Sequence, residues 1–384
     1  MNTDKHKINK HKKDKPKINK PKINKHKKDK HKINKPKINK PKINKPKIYE
    51  KIVKFLKTPF TNNVASYFSE RIDIYKFFLE YLENQYIKQC INITSENKYS
   101  ICNDKIVLYK QIGSKSVYGS VFKSKTNNKN PIQLAVKVMK NIKEHINEVK
   151  LLKLCTNYVI NKDTPHFPIM YNDFECDEKT INDFLPKTIN NEKYLIVLNE
   201  LAGGDLYMFI DNPNNIYNNK LFINTFIQIF ISIFTFHKKI KYVHTDCHGG
   251  NFLFHRIPSG GYIKYSIFGK TYYLENMGYL WVIWDYGLAN NIMIGYENFK
   301  DYLRIIHGFM NKKDGGWIKD NIKINEENSK LFKYIYYYIK YVIDYNTENQ
   351  DELILKLIIK KTGGFLESIP IGSYVYNQEP YFLV

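Results

Sequence analysis

The sequence predicts an α+β fold in which a small β-rich lobe is followed by a mainly helical lobe, with a cleft between them, behind a disordered basic tail. Three observations support this expectation. Residues 1–48 carry a lysine-rich repeat, residues 101–198 alternate like short strands, and residues 202–384 are dominated by helical patterns. Hydrophobic residues make up 43% of the 384 residues, which is enough for a sizeable core.

The tail repeats with a period of five over residues 7–48, in units such as KINKP and KKDKP. The first 50 residues hold 20 lysines and 4 acids, so most of the net charge of +24 lies there. Recurrent proline, charge repulsion and a lone isoleucine per unit predict an extended, disordered segment over 1–48. Two interpretations stay open: a tether to a polyanion, or a low-complexity expansion without a selected partner.

A helical extension is predicted over residues 49–100, because apolar residues recur there at helical spacing. The folded domain follows over 101–384, with lobes at about 101–198 and 202–384. The most apolar stretch, Leu221–Phe236, is interrupted by polar residues and predicts a buried core helix, not a membrane span. The five cysteines are widely spaced and the opening residues lack an apolar signal segment, which favours a soluble, intracellular, cytoplasmic protein.

A glycine-bearing turn lies between two strand-like segments, IVLYKQI and VFKSK. Such a hairpin can fold over a nucleotide and offer backbone N–H groups to phosphate oxygens. A further strand-like segment, Leu134–Lys137, ends in a lysine that could reach the same phosphates. The candidate phosphate-binding residues of the turn are Ile112, Gly113, Ser114, Lys115, Ser116, Val117, Tyr118, Gly119, Ser120 and Val121.

A second constellation follows in the C-terminal half. Asp246 and Asn251 are five residues apart in the segment YVHTDCHGGNFL, and Asp285 ends the apolar strand LWVIWD before a glycine turn. A carboxylate can orient an attacking hydroxyl and accept its proton, while amide and carboxylate oxygens can bind Mg²⁺. Each residue alone is more often a turn or cap residue. Together, in this order, they predict phosphoryl transfer.

The four motifs, in this order, resemble those of the protein-kinase-like superfamily over about residues 104–310. The resemblance implies that ATP and Mg²⁺ (or Mn²⁺) are bound. Lys137 would grip the α and β phosphates, and Asp246 would be the catalytic base. Asn251 and Asp285 would hold the metal. Glu148 is the expected partner of Lys137, and Glu144, one turn earlier, stays open as an alternative.

The segment LIVLNELAGGDL resembles the hinge that joins the two lobes in this superfamily. The resemblance implies that backbone groups of Asn199 and Leu201 face the adenine beside a gatekeeper at Leu198. The other residues expected around the nucleoside are Ala135, Leu253 and Asp205, the last of them at the ribose.

Several positions depart from the common pattern. Ser114 and Ser116 stand where the superfamily has glycines, Thr245 replaces an arginine, and no Ala-Pro-Glu triplet follows Asp285. His248 stands where serine/threonine kinases have a lysine. In that respect the loop is similar to aminoglycoside and choline phosphotransferases, and also to divergent serine/threonine kinases of poxviruses and giant DNA viruses.

The viral kinases are favoured by the hinge, by the Lys-, Asn-, Ile- and Tyr-rich composition, and by a predicted β-meander at 262–268 and 271–274. A viral enzyme would act in the host cytoplasm or the virion. The expected activity is therefore a serine/threonine protein kinase acting on an unidentified protein substrate. The alternatives are a small-molecule kinase and a catalytically weak scaffold with a kinase-like fold.

Overall fold

The protein has an α+β fold in which an antiparallel sheet precedes a region of packed helices. The computed structural model describes residues 66–82, 91–93, 99–112, 119–176, 193–292, 297–343 and 349–384. The predicted tail over 1–48 and the turn residues Gly113, Ser114, Lys115, Ser116, Val117 and Tyr118 lie outside the described residues. The expected α+β class is confirmed.

The principal sheet contains seven described strands in the order β1-β2-β3-β4-β5-β7-β6, and every neighbouring pair is antiparallel. The central strands β5 and β7 are buried along almost their whole length, which suits their apolar sequences QLAVKVMK and YLIVLNE. The strands are β1 (Ile91–Ile93), β2 (Tyr99–Ile101), β3 (Ile106–Ile112), β4 (Gly119–Thr126), β5 (Gln133–Lys140), β6 (Met170–Cys176) and β7 (Tyr194–Glu200).

The described helices begin with α1, which packs into the same core as the sheet: Phe78 of α1 stacks on Tyr171 of β6 with ring centroids 4.3 Å apart. Within the predicted helical extension over 49–100, Ser66–Leu82 is helical, whereas Ile91–Ile93 and the start of Tyr99–Ile101 are strands that pair with each other, a departure from the expectation. The helices are α1 (Ser66–Leu82), α2 (Lys143–Ile160), α3 (Leu206–Ile210), α4 (Pro213–Tyr217), α5 (Asn219–Thr235), α6 (Glu297–His307), α7 (Glu326–Tyr341) and α8 (Gln350–Thr362).

Helix α5 forms the centre of the helical region, and Phe222, Phe226 and Phe230 on it are almost fully buried. In the described part of the chain, Asn219–Ile240 is the one helical segment long and apolar enough to cross a membrane, and 89% of its most apolar window is buried inside the fold. Its burial is that of a core helix, as the sequence predicted.

Short strands complete the fold. Strands β8 (Gly204–Asp205), β10 (Phe252–Arg256) and β13 (Tyr279–Ile283) form one sheet, and β9 (Tyr242–Val243) pairs with β14 (Asn290–Asn291). The predicted meander is present as an antiparallel hairpin of β11 (Tyr262–Ile267) and β12 (Lys270–Glu275). Two C-terminal strands, β15 (Phe365–Leu366) and β16 (Tyr381–Phe382), join its two sides.

All described residues belong to one compact unit, Lys45–Val384. The division of this unit at residue 100 and at the hinge stays a prediction. One cysteine differs from expectation: Cys176 is disulfide-bonded, whereas Cys102, Cys155 and Cys247 are free, buried thiols. The wide spacing of the five cysteines did not predict this bond, because spacing along the chain does not reveal which side chains meet in space.

Candidate functional site

Lys137 lies on the central strand β5 and points its ammonium group at two carboxylates. Its Nζ is 2.6 Å from Glu148 Oε1 on α2 and 2.8 Å from Asp285 Oδ1 after β13. Glu148 is fully buried, and Lys137 is nearly so. Of the two candidate partners for Lys137, Glu148 is therefore the one in contact, while Glu144 is exposed.

The three charges perturb one another. Burial alone would lower the pKa of Lys137, but Glu148 and Asp285 raise it well above its usual range. Burial raises the pKa of Glu148 in spite of Lys137. Burial would also raise the pKa of Asp285, but the Lys137 ammonium outweighs it and the pKa lies below its usual value. The lysine is therefore held as a cation between two acidic side chains.

Asp246 and Asn251 are joined within the loop that precedes β10. The amide Nδ2 of Asn251 donates to the backbone carbonyl of Asp246 at 2.9 Å and to its carboxylate Oδ2 at 3.3 Å. His248 caps the same loop, because its Nδ1 accepts from Gly250 N at 3.1 Å, and its Nε2 lies 3.5 Å from Asp246 Oδ2. The Asp246 side chain is 36% exposed, so an incoming hydroxyl could reach it.

This loop is tied to the Asp285 turn by backbone pairing. Strand β10 pairs with β13 from Phe252 opposite Ile283 onward, and Trp284 N donates to Asn251 O at 2.8 Å. His244 is buried under the loop, where its Nε2 lies 2.9 Å from Trp284 O. These contacts bring the Asp246–Asn251 pair and the Lys137–Glu148–Asp285 cluster to the same part of the fold.

Asp301, on α6, holds the loop that carries Asp246 through its carboxylate, a role that the sequence did not reveal. Its carboxylate accepts from the backbone N–H of His244 at 2.6 Å and of Thr245 at 2.9 Å. Thr245 has a φ of 65°, a left-handed conformation that is unfavourable for a β-branched residue and needs such support. His237 Nε2 lies 2.8 Å from the same carboxylate. Nothing in the sequence distinguishes Asp301 from any other acidic residue of an amphipathic helix, so this contact could not be predicted.

The expected nucleoside-binding residues lie on adjacent strands. Ala135 of β5 pairs with Asn199 of β7, and Leu253 of β10 pairs with Asp205 of β8. Asp205 also caps helix α3, because its Oδ1 accepts from Met208 N at 2.8 Å. Leu201 follows β7 directly and is half-buried. The structure thus forms two pairs, Ala135 with Asn199 and Leu253 with Asp205, at the two ends of the connection that follows β7.

The described flanks of the glycine-bearing turn, β3 and β4, pair as antiparallel strands. Ile112 pairs with Val121 across β3 and β4, and Val121 pairs on its other side with Lys137. Gln111 Nε2 donates to Ser120 Oγ at 3.3 Å. Only glycine fits at position 119 without a steric clash. A Cβ there would lie 2.6 Å from Val138 O, a backbone atom that cannot move aside.

The donor chemistry of the site suits a hard divalent cation. Asp285 Oδ1 is used by Lys137, while Asn251 Nδ2 is used by Asp246, so Asp285 Oδ2 and Asn251 Oδ1 are the oxygens that could bind Mg²⁺. Among the described residues no group of three or more His, Cys, Asp or Glu side chains could hold a metal. A site built from one amide, one carboxylate and the phosphates of a bound substrate contains fewer than three such side chains. It would therefore not form a group of this kind.

A cavity of about 570 Å³ lies elsewhere, lined by residues of α1, of the turn after α2 and of the C-terminal segment, among them Phe68, Arg71 and Tyr376. None of the predicted site residues lines it. In comparisons with known proteins, no family model matches the chain and no curated protein is significantly similar to it.

Proposed function

We propose that this protein is an ATP-dependent phosphotransferase with a bilobal, protein-kinase-like arrangement, and that it transfers the γ-phosphate of Mg-ATP to a serine or threonine hydroxyl of a protein. The observation that carries the proposal is the contact of Lys137 with both Glu148 and Asp285, at 2.6 Å and 2.8 Å. These residues come from three distant elements, and the pairing of β10 with β13 sets the Asp246 loop beside them.

Each side chain then has a definite task. Lys137, fixed as a cation, would bind the α and β phosphates of the nucleotide. Asn251 and Asp285 would hold Mg²⁺, which when bound neutralises charge on the phosphates. Asp246 would orient the acceptor hydroxyl and accept its proton. The hydroxyl oxygen forms a bond to the γ-phosphorus, the bond from that phosphorus to the β-phosphate oxygen breaks, and ADP leaves.

The test is transfer of label from γ-labelled ATP with Mg²⁺ to a mixed protein substrate. We expect the full chain to label protein and the Asp246→Ala and Asp285→Ala variants to lose at least about 10²-fold in rate. Asp211→Ala is the matched control, because Asp211 is exposed and pairs only with surface Lys319 among the described residues. No transfer by the unmutated chain, or equal transfer by the Asp246→Ala variant, would contradict the proposal.

A second candidate, a small-molecule kinase, is favoured by His248. This side chain stacks near Tyr207, with ring centroids 6.4 Å apart, and lies 3.5 Å from Asp246 Oδ2. A histidine there, in place of lysine, is a feature shared with phosphotransferases that act on small alcohols. Label on a metabolite pool, with none on protein, would select this candidate.

A non-catalytic scaffold is the remaining alternative. A ligand that binds the folded state raises its apparent stability. We expect saturating Mg-ATP to raise the unfolding temperature of the full chain. No shift with nucleotide, together with no label transfer, would favour the scaffold.

A further inference from the structure

A buried ion pair joins helix α1 to the last residue of β7. Arg71 donates from Nε to Glu200 Oε2 at 2.9 Å and from Nη2 to Glu200 Oε1 at 2.5 Å. The two side chains are 4% and 7% exposed. This two-pronged geometry fixes both the position and the plane of the carboxylate. The pair links residues 129 positions apart in the chain.

Arg71 is itself held from several directions. Its Nη1 donates to Pro165 O at 2.7 Å, and its Nη2 also donates to Phe167 O at 2.6 Å. Glu200 Oε1 accepts from Ile169 N at 2.9 Å and lies 3.4 Å from His255 Nε2 on β10. Burial alone would raise the pKa of Glu200, but the Arg71 guanidinium and His255 hold it well below its usual range. The carboxylate is therefore ionised and immobile.

Glu200 stands between Asn199 and Leu201, the two residues whose backbone groups are expected to face the adenine. Its own N–H donates to Ile169 O at 2.9 Å, so both its side chain and its backbone are anchored. The peptide groups on either side of Glu200 are covalently attached to this anchored residue. Their orientation therefore depends on Arg71, which holds the Glu200 carboxylate.

We propose that Arg71 is a positioning residue for the nucleotide, acting through Glu200 to fix the backbone of residues 199–201, so that helix α1 is a working part of the nucleotide site. The inference rests on the proposed function. It assigns to a helix outside the region of kinase-like motifs the task of setting nucleotide affinity. The side-chain hydrogen bonds of Arg71 in the described part of the chain go to Glu200, Pro165 and Phe167, so we expect its replacement to leave Lys137 and the Asp246 loop in place.

The test compares Arg71→Met with the double variant Arg71→Met/Glu200→Met in the full chain. The single variant leaves the buried Glu200 carboxylate without its guanidinium partner and is expected to destabilise the fold, whereas the double variant removes both charges and keeps a packed, foldable interior. The matched control is Lys105→Met, which removes another bond to α1, from Lys105 Nζ to Tyr81 O at 2.5 Å, and leaves Glu200 untouched.

Two readouts are needed: the KM for ATP against kcat, and amide hydrogen exchange at residues 199–201. In the folded double variant we expect KM for ATP to rise at least about fivefold with kcat nearly unchanged, and exchange at 199–201 to quicken. The Lys105→Met control should change neither. Restoring the arginine in the double variant's background should not restore KM, since Glu200 is absent.

A folded double variant with wild-type KM and wild-type exchange at 199–201 would overturn the inference, because the ion pair would then serve stability alone. An equal rise in KM in the Lys105→Met control would overturn it as well, since any loosening of α1 would suffice. Failure of the proposed function is distinguishable: the unmutated chain would then transfer no label from ATP to protein, whereas failure of the inference alone leaves transfer by the unmutated chain intact.

Discussion

At the residue scale, Glu148 contributes by holding Lys137, and its charge can be removed without changing its size. Glu148→Gln removes one of the two negative charges that hold Lys137, so the ammonium should shift toward the Asp285 carboxylate. A displacement of about 1 Å at a reacting centre can cost about 10²-fold in rate. We expect kcat/KM for ATP to fall by about 10- to 100-fold, measured in the label-transfer assay.

Glu144→Gln is the matched control for this change. Glu144 lies on the first turn of the same helix, is exposed and can be replaced without disturbing a buried contact. We expect its kcat/KM to stay within about twofold of the unmutated chain, as surface substitutions have small effects. If the two variants lost activity equally, the assignment of Glu148 as the holder of Lys137 would be wrong.

At the element scale, a buried histidine connects three helical segments. His237 follows α5 and lies 2.8 Å from Asp301 on α6 and 3.4 Å from Asp351 on α8. Tyr302 packs edge-on against its ring and donates to Asp351. Burial alone would lower the pKa of His237, but the two carboxylates raise it to about 9. The histidine is therefore a cation at neutral pH.

This raised pKa predicts a pH dependence of stability. An unfolded histidine titrates near 6.5, so the contribution of His237 is complete below about pH 6.5 and is lost as the pH rises through about 9. The difference in pKa corresponds to about 3 kcal/mol. We expect the free energy of unfolding from urea titrations to fall by this order between pH 6.5 and 9. If the loop that carries Asp246 is catalytic as proposed, activity should fall with it, since Asp301 also holds that loop.

His237→Gln is the control for the pH dependence. Glutamine can hydrogen-bond to one of the carboxylates but does not titrate. We expect this variant to be less stable at pH 6.5 and to lose the slope that His237 contributes. The same slope in both proteins would show that other groups cause it.

The β11–β12 hairpin is also attached to the rest of the fold by a specific contact. His166 Nδ1 lies 2.8 Å from Trp281 O, so Nδ1 carries the proton and Nε2 accepts from Tyr265 OH at 2.6 Å. Burial lowers the pKa of His166 to about 4, which keeps the ring neutral. Tyr265→Phe leaves this buried nitrogen without a donor, which costs about 1–3 kcal/mol.

We therefore expect the Tyr265→Phe variant to lose stability by this amount in urea unfolding and to keep its kcat/KM, because the contact lies away from Lys137 and Asp246. Tyr273→Phe, on the facing strand β12, removes the hydroxyl of a half-buried tyrosine in the same hairpin and should cost less than about 0.5 kcal/mol. A neutral result for Tyr265→Phe would mean that water replaces the lost donor.

At the scale of the whole molecule, the charge is unevenly distributed. The first 50 residues carry 20 of the 61 lysines and arginines, with only 4 acids, and their repeat offers no apolar face for a core. Deletion of residues 1–48 should change the unfolding temperature by less than about 1 °C, because a deletion that removes no buried contacts should not destabilise the folded part of the chain. If the tail is a tether, the deletion should also lower the salt concentration that elutes the protein from heparin.

Two outcomes would distinguish the interpretations of the tail. Elution at unchanged salt would favour a low-complexity expansion without a polyanion partner. A fall of several degrees in the unfolding temperature would contradict both, since the tail would then contribute contacts to the folded unit.

The sequence by itself determined the features that depend on neighbours in the chain. The long, mostly apolar stretch predicted the core helix α5, alternation around a turn predicted the β11–β12 hairpin, and the motif spacings singled out Lys137, Asp246, Asn251 and Asp285. Periodicity and turn chemistry act over a few residues, so they can be read directly.

Only the tertiary structure decided which distant side chains meet. The pairing of Arg71 with Glu200, the support of Thr245 by Asp301, and the link from His237 to Asp351 each join separate elements. Arginine, aspartate and histidine are common surface residues, and nothing local marks the ones that become buried. These side chains can be buried because a residue of opposite charge from another part of the chain lies beside each of them. Which residues become neighbours in this way is decided by the packing of the whole fold.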